Sequence, residues 1–154
     1  MTPPDALPPF DPAAHGWERR GTGGFSELTG PFWAKREGEG RVFGLLTEAH
    51  HANGHGIIHG GLLVTMADNA LGLTVFEAGG RVPCVTVQLN THFISAAYPG
   101  EFIEARAEVL RRARSMVFIR GVLTVGDRTV AAADGVWKLL SASPARGVPK
   151  GDPA

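Results

Sequence analysis

Residues 59–80 read HGGLLVTMADNALGLTVFEAGG. No proline interrupts the stretch, and Leu and Ala recur through it. It predicts a helix of about five turns, from His59 or Gly60 to about Ala78. Gly79 and Gly80 stop it as C-caps. Apolar residues from Leu62 to Phe76 occupy every face, so the helix is not amphipathic and has to be surrounded by protein.

What surrounds it is strand-like. VTVQLNTHF (85–93) alternates Val85, Val87, Leu89 and Phe93 against Thr86, Gln88, Asn90 and His92. EFIEARAEVL (101–110) alternates in the same way, and SMVFIRGVLTV (115–125) and RTVAAADGVWKLL (128–140) meet at a Gly126-Asp127 turn. Upstream, PFWAKREG (31–38) and RVFGLLTEA (41–49) flank Gly38 and Gly40 as a hairpin. The expected order is two strands, one buried helix, then a meander of four long strands. One apolar helix and one antiparallel sheet must cover each other, so an α+β fold with a curled sheet follows.

The chain has 154 residues, 44% of them hydrophobic, which suits one domain with a real core. The organisation expected is a flexible arm or lead-in to a short helix over 1–16, which holds five of the eleven prolines, a domain over 17–140 and a disordered tail over 141–154. Fifteen basic and fifteen acidic side chains cancel, which argues against nucleic acid or an anionic membrane as partner. The apolar run is broken by Asp68 and Asn69 and is too short to span a bilayer. No basic residue precedes an apolar run at the N-terminus, so a cytoplasmic location is expected. Cys84, the one cysteine, sits in a strand-like run and reads as a small buried apolar residue.

Asp68 is the residue that demands an explanation. A carboxylate in the middle of a buried helix costs several kcal/mol unless it is satisfied. It is either paired with an Arg or a backbone group, or it is functional. Gly60 and Gly61 add a second clue, because the first N–H groups of a helix lack intrahelical partners and lie at the positive end of its dipole. Without side chains there, a carbonyl oxygen that becomes an oxyanion can come close. Gly60 and Asp68 are eight residues apart, about 12 Å along one helix, whereas a base and an oxyanion hole must serve one carbonyl at about 3 Å. Two antiparallel helices would satisfy both, so the site is expected to straddle a twofold dimer interface. The histidines of HHANGHGIIHGG (50–61) match no metal signature, so no metal is expected. His50, His51 and His55 read as incidental, and His15 and His92 as ordinary.

The segment NGHGIIHGGLLVTMAD (53–68), followed by VTVQLNTHFISAAYPG (85–100), resembles the PaaI-type acyl-CoA thioesterases of the hotdog-fold superfamily. The resemblance covers nearly all of residues 30–140. It implies a curled antiparallel sheet of five to six strands wrapped around one long central helix. It also implies a homodimer or dimer of dimers with active sites at the subunit interface, acyl-CoA as substrate and no cofactor. Carried onto this chain, the N–H of Gly60 polarises the thioester carbonyl, His59 orients that turn, and Asn53 places the thioester or the water. Asp68 of the other subunit is the general base or a nucleophile, and Thr86 steadies the water. Gly61, Leu63, Met66 and Ala67 are implied near the acyl group. Arg111, Arg112 and Arg114 either meet the nucleotide phosphates or form a solvated hairpin. The same fold also serves acyl-CoA dehydratases and non-catalytic acyl-CoA binders, and these stand as alternatives.

Overall fold

The computed structural model describes residues 9–21 and 23–141. One seven-stranded antiparallel sheet wraps a single long helix. In chain order the elements are β1 (Glu18–Arg20), α1 (Gly24–Thr29), β2 (Phe32–Glu37), β3 (Gly40–Leu46), α2 (Gly60–Ala78), β4 (Cys84–Phe93), β5 (Phe102–Arg112), β6 (Met116–Val125) and β7 (Arg128–Leu139). The strands lie side by side in the order β1-β2-β3-β5-β6-β7-β4. No helix among the described residues is long and apolar enough to cross a membrane.

The α+β architecture and the limits of the long helix are as expected, and three features differ. The sheet has seven strands rather than five or six, because the three-residue β1 pairs with β2. Its sequence, Glu-Arg-Arg, carries no apolar alternation, so only backbone pairing creates it. Only β5, β6 and β7 form a meander; β4 pairs with β7 at the far edge, and β5 returns to pair with β3. The helix is the cause, since it carries the chain across the sheet before β4 begins. The alternation read along 85–93 is also broken, by a bulge between Thr86 and Gln88.

The main core lies between α2 and the concave face of the sheet. Leu71 and Val75 of the helix meet Ile103, Ile119, Leu123 and Trp137, all almost fully buried. Burying each large side chain of this kind contributes about 1.5–3 kcal/mol. The approach is close at Gly121, where a Cβ would lie 2.8 Å from Leu71 Cδ1.

A smaller core occupies the convex face. Trp17 and Phe102 pack edge to face with ring centroids 4.9 Å apart, and Phe10 adds a ring 4.7 Å from Phe102. Gly44 makes room for them, because a Cβ there would fall 2.2 Å from the Phe102 ring. Residues 9–16 of the expected arm therefore lie against the sheet, leading into a 3-10 turn at Ala13–His15. Residues 1–8 of that arm and 142–154 of the expected tail lie outside the described residues.

The helix is not covered on every side within one chain. Leu62, Leu63, Met66, Ala67, Ala70, Leu71 and Val75 are buried. Val64, Thr65, Asp68, Asn69, Gly72, Leu73 and Phe76 are only partly buried. One sheet can cover only one side of a helix. Edge strand β4 and the residue after it are open as well, with Val85, Val87, Phe93 and Ile94 each about half exposed, from 46% to 59%.

Candidate active site

The helix N-terminus is built by the loop before it. His59 is the N-cap, in an extended conformation, and its Nδ1 accepts from the Gly61 N–H at 2.8 Å. That bond requires Nδ1 to be unprotonated, so the neutral ring carries its proton on Nε2. It also occupies the Gly61 amide. The Gly60 N–H has no intrahelical partner and donates to no acceptor among the described residues. Gly60 thus supplies the spare donor, and His59 fixes the turn that presents it.

Asn53 shapes the same loop. Its Oδ1 accepts from the His55 N–H at 2.9 Å, its N–H donates to the Ile57 carbonyl, and its carbonyl accepts from Gly56. The Nδ2 amide is left to act on a ligand. The loop after β4 closes this end: the Ala97 carbonyl accepts from the Ile58 N–H, and Arg128 holds that loop through the Ala96 carbonyl and the Glu101 carboxylate. Asn53, Gly60, Leu63 and Phe93 line a cavity of about 280 Å³ here. The Phe93 ring lies 3.2 Å from where a Gly60 Cβ would be, so only glycine leaves that amide approachable.

The second half of the site is mid-helix. Thr86 Oγ1 donates to Asp68 Oδ1 at 2.6 Å. The β4 bulge makes this contact possible. On one side of it Thr86 pairs with Trp137, and on the other Leu89 pairs with Gly135, so both point toward the helix although they are three residues apart. No Arg or Lys pairs with Asp68 among the described residues. The ion-paired structural role for this carboxylate is therefore not what the fold uses. Asp68, Gly72, Phe76 and Thr86 line a groove of about 510 Å³. Cys84 also borders it. Burial, and then the nearby Asp68 charge, push its thiol pKa up, so it stays protonated and is no nucleophile.

The two halves share no lining residue. One chain does not bring Gly60 and Asp68 to a common point, in keeping with their separation along one helix.

The remaining expected residues separate clearly. Met66 borders a third, apolar cavity of about 210 Å³, which adjoins the Asp68 groove at Asn69 and Leu73. Ala67 is fully buried against the sheet and lines none of these cavities. Arg112 caps the helix C-terminus, reaching the carbonyls of Ala78 at 3.2 Å and Gly79 at 3.4 Å. Arg111 and Arg114 are exposed on the β5–β6 hairpin. No group of three His, Cys, Asp or Glu side chains suited to a metal ion occurs among the described residues.

His51 is not incidental. It is buried, its Nδ1 accepts from the Glu48 N–H at 2.9 Å, and its carbonyl accepts from the His59 N–H. Burial, helped by neighbouring His50, pulls its pKa down. Its sequence context, one histidine among four, gives no signal of that role. Phe93 was legible only as an apolar strand residue, and Arg20, in a charged triplet, was not legible at all.

The model of the thioesterase superfamily matches residues 55–132. A Pseudomonas aeruginosa protein bearing an esterase name is 36% identical over 115 residues, covering 73% of this chain and 86% of that one. Human acyl-coenzyme A thioesterase 13 is 34% identical over 77 residues, which is 50% of this chain and 55% of the human protein. Among solved structures, a variant of the phenylacetic acid degradation protein PaaI from Thermus thermophilus superimposes with a TM-score of 0.68 at 26% identity, covering 75% of this chain and 98% of that one. The fold is the hotdog fold, and the chain belongs to the thioesterase superfamily. Its structural neighbours include PaaI proteins, and its relatives include an acyl-coenzyme A thioesterase.

Proposed function

We propose that the protein hydrolyses an acyl-CoA thioester to a free acid and coenzyme A at a site shared by two subunits. The observation that carries this is Asp68, a helical carboxylate bonded to Thr86, without a cationic partner among the described residues and opening on a groove. The acyl-coenzyme A thioesterase among its relatives supports the same chemistry. The half-exposed stripe of α2 and the open β4 edge favour a second copy as the partner, since pairing across β4 would extend the sheet.

The chemistry needs no group beyond those present. The Gly60 N–H of one subunit donates to the thioester oxygen at the positive end of the helix dipole. Asp68 of the other subunit takes a proton from water held near Thr86, and the hydroxide adds to the carbonyl carbon. The C–S bond then breaks, and the coenzyme A thiolate takes the proton from Asp68. Direct attack by Asp68, passing through an anhydride, uses the same groups. Arg111 and Arg114, with no acidic partner among the described residues, are suited to meet the nucleotide phosphates.

The test is thiol release from a panel of acyl-CoAs with EDTA present, followed by subunit mixing. Gly60→Pro removes one amide hydrogen and crowds the Phe93 ring, while His59 already has the extended backbone that proline requires before it. Gly60→Pro and Asp68→Ala are each expected to be inactive, and mixed subunits to regain activity. No turnover of any acyl-CoA by the wild type, with binding retained, would make the protein an acyl-CoA binder. No recovery despite demonstrated subunit exchange would end the two-subunit site.

A further inference from the structure

Two cavities meet along Asn69 and Leu73, and the larger of them holds the carboxylate half of the site. The larger, about 510 Å³, runs along α2 from Asp68 past Gly72 to Phe76. The smaller, about 210 Å³, adjoins it at Asn69 and Leu73. Phe32 and Phe43 from the sheet and Met66 and Ala70 from the helix form its apolar walls, and Arg20 and Ser26 complete its lining. A thioester held at Asp68 has two arms that leave the reacting carbon in different directions. The pantetheine arm is long and polar and suits the larger groove. The acyl arm suits the apolar cavity, whose volume is that of about seven waters. That matches a chain of about six to eight non-hydrogen atoms.

Arg20 gives this cavity a chemical preference. It is partly buried and makes no ion pair or hydrogen bond among the described residues. Its neighbour Arg19 is paired with Glu27 at 2.8 Å, and Arg41 with Glu77 at 3.4 Å. A guanidinium keeps its charge, and one that borders an apolar cavity without an acidic partner is free to meet a counter-ion there. A carboxylate would engage it through two parallel hydrogen bonds. The Ser26 hydroxyl and the Asn69 amide offer further donors on the same lining.

We propose that this cavity receives the acyl group and that Arg20 selects short acyl groups ending in a carboxylate, the mono-CoA thioesters of dicarboxylic acids. The inference rests on the thioesterase reading above for the place of the reacting carbon at Asp68.

The experiment compares hexanedioyl-CoA with hexanoyl-CoA, which match in length and differ in the terminal carboxylate. It uses the full chain as wild type, Arg20→Gln and Arg20→Lys. The wild type is expected to favour hexanedioyl-CoA by about tenfold or more in kcat/KM, chiefly through a lower KM. Arg20→Gln is expected to erase that preference, and Arg20→Lys to restore part of it. In parallel, calorimetry measures binding of the unreactive thioether analogues, S-(5-carboxypentyl)-CoA and S-hexyl-CoA. Turnover of both thioesters without preference, or an equal loss on both in Arg20→Gln, overturns the inference and leaves the thioesterase reading intact. No turnover, with the carboxylate-ended thioether still bound more tightly through Arg20, overturns the hydrolytic reading and leaves the selective cavity standing.

Discussion

On one side of α2, Ala67, Leu71 and Val75 are sealed against the sheet. On the other, Thr65, Asp68, Gly72 and Phe76 stay partly exposed, a mixture of polar and apolar residues. The sealed side does the work of a core: it is dry, closely packed and contains no ionisable group. The open side keeps a carboxylate with one hydroxyl partner and a groove beside it. Composition alone does not set how dry each side is. What the sheet covers does, and the uncovered side is left to substrate and to a second copy.

The difference can be broken most severely from the sealed side. Leu71→Ala leaves a cavity between α2 and Gly121 and is expected to cost about 2–5 kcal/mol in urea unfolding. Leu73→Ala, on the open side, is expected to cost about 1 kcal/mol or less in dilute solution. Equal losses would mean that the two sides are packed alike.

Function should respond in the opposite sense. Asp68→Ala is expected to lower thiol release about 100-fold or more while moving the melting temperature little, because its carboxylate is only partly buried and pairs with no cation. A large fall in melting temperature with activity retained would return Asp68 to a structural role. Thr86→Val removes the one hydrogen bond to that carboxylate and keeps the strand shape. A loss of about tenfold in kcat is expected. An unchanged kcat would remove Thr86 from the chemistry and leave it as a strand residue.

The smallest expected effect lies in the loop that presents Gly60. Burial holds the folded pKa of His51 below its ordinary value of 6.5. Above pH 6.5 the ring is neutral in both the folded and unfolded chain, and its contribution to stability is fully present. As pH falls below 6.5 the unfolded chain takes up the proton first, so that contribution is lost until the folded pKa is passed. The melting temperature is expected to fall between pH 7.5 and 5.5. His51→Asn, whose Oδ1 can take over the bond from the Glu48 N–H, is expected to flatten that fall. The same slope in wild type and variant would place the pH response elsewhere.

Some of the site was legible in the residues. Gly60 and Asp68 stood out because each breaks the pattern around it: a side-chain-free helix start, and one charge in an apolar run. Their separation along one helix then called for two subunits. Thr86 entered only through the family resemblance, since the alternation of 85–93 set it opposite Leu89. The β4 bulge moved it to the helix side. Arg112 reads in the sequence as a phosphate ligand or a solvated hairpin residue, and the structure adds its contacts to the carbonyls at the helix C-terminus. His51 and Arg20 carry no local pattern, since their roles depend on burial and on cavities formed by distant segments.

By itself, then, the sequence determined the long helix, its start at Gly60, its stop at Gly79, most of the strands and the lone acid. Each of these depends on residues that are neighbours along the chain: unbroken helix formers, period-two alternation, terminal glycines. Only the tertiary structure decided which side of the helix is dry, that β4 lies beside β7, which face Thr86 occupies, and which arginine remains free to meet a ligand. Those depend on contacts between segments tens of residues apart, where backbone pairing and packing override local pattern.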